Sequence, residues 1–189
     1  MSSIVNIRSA DPRDPTGALE NIRSGIGAIS RTHRLLYRTT GDHLVSIDEA
    51  LRSTVGWFES GYPRVTFVYR PPVTGCSVDG DFAVSLTIML NELLSNAVKH
   101  GTGPDGDHRV SIEASYDEDD ALLTLRVSDG GRGLPPETDG MGLQIISAIA
   151  GQLHARITVE SAPGASYQFQ IPLDSSPALR AGDGARLSR

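Results

Sequence analysis

The sequence predicts an α+β fold, and three observations predict it. From Phe82 to Gly101 apolar residues recur at helical spacing over about five turns. Five other segments, 64–70, 110–116, 121–128, 155–161 and 166–173, alternate with a period of two, as half-buried strands do. Between them stand turn-forming clusters such as TGPDGDH, DEDD and APGA. A chain of 189 residues, 39% hydrophobic and 21% charged, suffices for one globular domain with a modest appendage. The net charge of -6 disfavours a duplex-binding surface, so nucleotide or protein partners are expected and nucleic acid is not. A single cysteine, Cys76, excludes an intramolecular disulfide and any multi-cysteine zinc site, and it reads as a small semi-buried residue. No apolar run approaches the roughly 20 residues of a membrane span, and the start MSSIVNIRSADPRDP lacks a signal-peptide core. A soluble, cytoplasmic protein with no membrane partner is expected.

Taken in order, Met1 to Pro15 carries Asp-Pro twice and reads as a loose leader. Leu19, Ile22, Ile26, Ile29, His33 and Leu36 then form a stripe alternating three and four apart, the pattern of a seam between helices. Gly25 and Gly27 inside it each cost about 1 kcal/mol relative to alanine, so this helix needs a packing partner, and a second subunit would supply one. His33 on that stripe reads as a hydrogen-bonded core residue. Ser46 and Glu49 have capping-box spacing ahead of a helix buried through Ile47, Leu51, Val55 and Phe58. Gly61, Tyr62 and Pro63 end it, and a domain boundary is placed there: 1–60 a leader and helical region, 61–173 the main domain, 174–189 a disordered tail. RVTFVYR follows as a strand up to Pro71-Pro72. Asp79 or Asp81 caps the long helix, and after Gly101 a polar turn leads to the strand VSIEASY. DEDD reads as a solvated hairpin turn before ALLTLRVS. The strands ARITVES and SYQFQIPL, joined by APGA, complete what is expected to be an antiparallel sheet.

Three stretches carry chemistry. On the long helix Leu86, Leu90, Leu93, Leu94 and Ala97 share one side, while Glu92, Asn96 and Lys99 share another. That second face is either a solvated surface or a set of groups suited to a nucleotide: a carboxylate as base or water holder, an amide oxygen for magnesium, an ammonium against phosphate. At the end of the next strand pair, DGGRGLPP lets backbone approach a flat ligand while Asp129 accepts from an exocyclic amine, a combination that suits adenine. It is not a dinucleotide fingerprint, because Pro135-Pro136 follow where a helix would have to open. Gly140 and Gly142 stand at the start of the helix GMGLQIISAIAGQL, where uncrowded N–H groups form a phosphate site or the glycines are plain loop residues.

Together and in this order, NELLSNAVKH, DGGRGLP and GMGLQII resemble the N, G1 and G2 boxes of the GHKL ATPases. The terminal Lys-His of the first box is similar to that of the HWE-type and related bacterial sensor histidine kinases. Upstream, ISRTHRLLYRTTGDHLVSIDEAL resembles their second dimerisation helix and connector, so the likeness covers about Leu19 to Leu173. The resemblance implies a two-layer α/β sandwich of the GHKL (Bergerat) type behind an N-terminal helical dimerisation segment. It implies a homodimer that binds ATP and magnesium, with a phosphoacceptor protein or response regulator as partner. Carried over by position, Glu92 matches the family's base-like carboxylate, Asn96 its magnesium ligand, Lys99 and His100 its phosphate contacts, and Asp129 its adenine contact. Gly131, Gly133, Gly140 and Gly142 match the glycines that hinge and floor the lid over the triphosphate.

Two departures stand out. The lid between Gly133 and Gly140 is only LPPETD, with no phenylalanine-bearing F box, and the first dimerisation helix, which carries the family's acceptor histidine in its H box, has no counterpart here. The expected function is therefore an ATP-dependent histidine kinase whose acceptor histidine comes from another chain or region. A serine kinase of the anti-sigma type and a non-enzymatic phosphotransfer or scaffold adaptor are the alternatives. The Lys-His end of the N box speaks against the first, and intact Glu92, Asn96 and Asp129 against the second.

Overall fold

A computed structural model describes residues 44–70, 73–133, 141–161 and 164–173. The stripe from Leu19 to Leu36, His33, Gly140 with the rest of 134–139, and the tail from 174 lie outside the described residues. The elements run β1 (Leu44–Ser46), α1 (Ile47–Gly61), β2 (Thr66–Arg70), β3 (Ser77–Asp79), α2 (Gly80–His100), β4 (Arg109–Asp117), β5 (Leu122–Asp129), α3 (Met141–Gln152), β6 (Arg156–Glu160) and β7 (Ser166–Pro172).

The helix ends follow from local chemistry. Ser46 Oγ accepts from the Glu49 N–H at 3.4 Å at the start of α1, and Asp79 Oδ1 accepts from the Phe82 N–H at 2.8 Å at the start of α2. Of the two candidate caps, Asp79 is therefore the one used. At the other end of α2 the Gly101 N–H returns to the Ala97 carbonyl at 2.7 Å. The acidic turn is a hairpin closed by its own first residue, since Asp117 Oδ1 accepts from the N–H groups of Asp119 and Asp120 at 3.0 and 3.2 Å.

The main sheet has the order β2-β4-β5-β7-β6. It is mixed rather than antiparallel throughout, because β2 pairs parallel with β4. A parallel pair needs a crossover, and α2 supplies it. A separate two-stranded ribbon, β1 with β3, was not expected from the sequence: three residues per strand are too few for alternation to register.

Register puts the apolar residues of neighbouring strands on one face. Ala114, Leu125 and Phe169 lie in one row and Ile112, Val127 and Tyr167 in the next, all buried under the helices. The opposite face carries Glu113, Arg126, Gln168 and Thr158 in one row, with Arg126 Nη2 3.1 Å from Glu160 Oε2. One greasy and one polar face make the two-layer sandwich. Leu86, Leu90, Leu93, Leu94 and Ala97 of α2 are all buried in it, each leucine worth about 1.5–3 kcal/mol on burial, enough to hold the layers without a disulfide. Cys76 is buried too, and burial pushes its thiol up to about 11.

α1 belongs to the same core. Val55 and Phe58 are buried with the α2 leucines, and Phe58 stacks on Tyr62 at 5.8 Å and meets Phe67 of β2 at 6.1 Å. Tyr69 of β2 donates its hydroxyl to Asp48 Oδ1 at 2.8 Å, and Arg52 holds the other Asp48 oxygen at 2.6 Å. The helix assigned by sequence to the region before residue 61 thus shares its core with the sheet beyond it.

Candidate functional site

The polar face of α2 is aimed at the start of α3. Glu92 is only 9% exposed. Burial raises its carboxyl pKa, and the Lys99 ammonium, close enough to be felt, partly opposes the rise. Asn96, one turn after Glu92, is half-buried, and Lys99 is exposed. Gly142, in the first turn of α3, lies against both: a β-carbon built there would be 3.1 Å from Glu92 Oε2 and 3.5 and 3.6 Å from the Asn96 amide atoms. Any larger residue would fill the gap between the helices. Elsewhere along this interface Gln152 donates to Ser85 Oγ at 3.4 Å, fixing how α3 lies on α2.

The second half of the site is the end of β5. Asp129 Oδ1 accepts from the N–H groups of Gly131 at 2.9 Å and Ala165 at 3.3 Å. Its own N–H donates to the Ala165 carbonyl at 2.9 Å, locking the carboxylate to the start of β7. Both of these bonds fall on Oδ1, one of the two carboxylate oxygens. Tyr167, buried nearby, has its phenol pKa raised by burial and by the Asp129 charge.

Two glycines fit this corner by necessity. Gly133 has φ +81, with Ser161 where a β-carbon would stand, and Gly164 has φ +72 with the Asp129 carbonyl in that place. Gly131 abuts the His100 carbonyl, which joins the end of α2 to the Asp129 turn. The structure therefore brings together Glu92, Asn96, Gly142 and the Lys99 charge on one side, and His100, Asp129, Gly131 and Gly133 on the other. Gly164 and Ala165, which hold Asp129, escaped the sequence reading; the glycine of APGA was the signal, read only as a turn.

Residues 82–175 match the family of histidine kinase-, DNA gyrase B-, and HSP90-like ATPases. That segment belongs to this ATPase family. A blue-light-activated histidine kinase of Brucella anthropi is 28% identical over 172 residues, covering 86% of this chain and 33% of that protein. A signal transduction histidine-protein kinase of Streptomyces coelicolor is 32% identical over 114 residues, 49% of this chain and 20% of that one. The chain thus spans a third or less of the length of these relatives. Among solved structures, the histidine kinase domain of an Erythrobacter litoralis blue-light-activated histidine kinase superposes with a TM-score of 0.71 at 18% identity, covering 81% of this chain and 75% of that one. At that identity the likeness establishes the fold. The site described above lies within or beside the ATPase-family segment, and among the described residues no helix is long and apolar enough to cross a membrane.

Proposed function

We propose that this chain is the ATP-binding part of a histidine kinase of two-component signalling, moving the γ-phosphoryl group of ATP to a histidine of another chain or region. The observation that carries the reading is the gap at Gly142, which leaves Glu92 and Asn96 facing the start of α3. A helix N-terminus beside a carboxylate and an amide is suited to phosphate on one side and to an attacking group on the other.

Each residue has a distinct task. Asp129 accepts from the adenine amine through the oxygen that its backbone partners leave over. Lys99 and His100 meet the phosphates at the exposed end of α2. Glu92 accepts the N–H of the acceptor imidazole, aiming its other nitrogen at the γ-phosphorus; the bond to the bridging oxygen breaks and ADP leaves. A buried carboxylate is poorly solvated, so it holds that hydrogen bond more strongly than a surface one would.

Magnesium fits this donor set. Among the described residues no three His, Cys, Asp or Glu side chains gather as a protein cage, and a single amide oxygen, that of Asn96, suits an ion that arrives with phosphate oxygens. When bound it neutralises charge on the phosphates. Further parts of the reading are a homodimer built through the Leu19 to Leu36 stripe, a cytoplasmic location, and a response regulator or other phosphoacceptor protein as partner. Gly140 is assigned with Gly142 to the floor under the triphosphate.

The test is incubation with γ-labelled ATP and magnesium, with and without a candidate acceptor protein. Acid-labile label on the acceptor supports a histidine kinase. Acid-stable label points to the serine kinase, and absence of nucleotide binding to the adaptor.

A further inference from the structure

The connection from Gly101 to His108 reads in the sequence as a polar turn, and the chemistry above does not use it. Its one aromatic ring is His108, which is half-buried. Nε2 lies 2.9 Å from the Ala97 carbonyl oxygen and Nδ1 lies 3.3 Å from Thr102 Oγ1. A carbonyl only accepts, so Nε2 carries the hydrogen, and Nδ1 is left to accept from the Thr102 hydroxyl. The Ala97 oxygen already accepts from the Gly101 N–H at 2.7 Å, so the ring takes its second lone pair at the last turn of α2.

The backbone closes the same loop. Thr102 and His108 pair as an antiparallel bridge, the Gly103 N–H donates to the Asp107 carbonyl at 2.7 Å, and the His108 carbonyl accepts from Thr66 at 2.8 Å where β2 begins. On its far side the loop rests on the Asp129 turn. A β-carbon at Gly103 would come within 3.0 Å of the Gly130 carbonyl oxygen, and one at Gly101 within 2.8 Å of Asp129 Cβ. The loop is therefore a spacer. One edge is stapled to the turn of α2 that carries Lys99 and His100, and the other is packed on the turn that carries Asp129.

We propose that His108 is a positioning residue that sets the separation between the adenine end and the phosphate end of the site; this rests on the ATP-binding reading. A nucleotide that engages both ends gains from each only if their spacing matches its own length. With the staple gone, each end keeps its own contacts while the distance between them wanders. A ligand that touches both then loses affinity, and one that touches only the Asp129 end does not.

Three variants of the full chain separate the possibilities. His108→Gln places a side-chain N–H near the position of Nε2, His108→Asn keeps a polar atom near Nδ1 but cannot reach Ala97, and His108→Phe removes both bonds. Magnesium–ATP affinity is measured by calorimetry and adenosine affinity by nuclear magnetic resonance titration, with thermal melting for each variant. His108→Phe and His108→Asn are expected to bind ATP about five- to tenfold more weakly, a loss on the scale of one to two net hydrogen bonds. Adenosine should bind all variants as it binds the parent, and His108→Gln should recover ATP affinity to within about twofold. If His108→Phe does not fold, the Asn and Gln pair decides alone. Equal losses for ATP and adenosine, no loss for ATP, or no difference between Asn and Gln would overturn the proposal. A parent chain that binds neither ligand would instead refute the ATP-binding reading on which it stands.

Discussion

Replacing Gly142 by alanine separates the site from the fold. The position has no positive φ, so alanine takes the backbone without strain. In a helix interior alanine is favoured over glycine by up to about 1 kcal/mol, and less in a first turn. Against this stands one tight contact, the new methyl 3.1 Å from Glu92 Oε2. That oxygen ends a flexible side chain and can retreat by a few tenths of an ångström, so the fold should be unchanged or gain up to about 1 kcal/mol, a rise of no more than about 5 °C in Tm. The site should suffer. The methyl displaces the carboxylate and covers the Asn96 amide, and misplacement of that order at a reacting centre costs roughly ten- to a hundredfold. Calorimetric melting reads the first effect; ATP turnover and magnesium–ATP affinity read the second. Gly56→Ala is the control, in mid-helix α1 with nothing within 4 Å of the added carbon, and it should stabilise by about 1 kcal/mol with turnover untouched. Turnover of Gly142→Ala within twofold of the parent, on a stable fold, would mean that the space between Gly142, Glu92 and Asn96 serves no ligand, and the reasoning would fall.

Asp129→Asn retains an oxygen for the Gly131 and Ala165 N–H groups but presents an NH2 group where adenine needs an acceptor, so ATP affinity should drop by about 1.5–3 kcal/mol with melting nearly unchanged; equal affinity by calorimetry refutes the adenine contact. For Glu92 the folded pKa is raised, so the native state holds the proton more tightly than the unfolded chain and stability falls as pH rises from the ordinary Glu range through the raised value. Glu92→Gln should therefore melt higher than the parent at neutral pH, converge with it below about pH 4, where the glutamate becomes uncharged in both states, and lose turnover while still binding ATP; a parallel offset at every pH would contradict the burial argument. Removal of residues 1–43, which leaves the β1–β3 ribbon whole, should convert a dimer to a monomer in light scattering, and a monomeric parent chain would show that the stripe packs internally.

What could be read in advance is what repeats locally. α2 announced itself through five turns of apolar spacing, and the same spacing placed Glu92, Asn96 and Lys99 on one face, where the structure finds Glu92 buried and within reach of the Lys99 charge. Caps and hairpin turns were legible because a cap acts over three residues, as Asp79 does on Phe82. Features that depend on closure between distant segments left no such trace. The parallel pairing of β2 with β4 spans the whole of α2, and Asp129 is held by Ala165, 36 residues away. His108 is the sharpest case: a histidine before a strand has no periodicity and no motif, and its task arises only because the chain turns back on the end of α2. The same locality explains why Asp129 stood out in the sequence without its supports. A carboxylate followed by glycines signals a ligand from sequence alone, whereas the groups that aim the carboxylate are supplied by another strand, and a site is pre-organised by the part that sequence shows least.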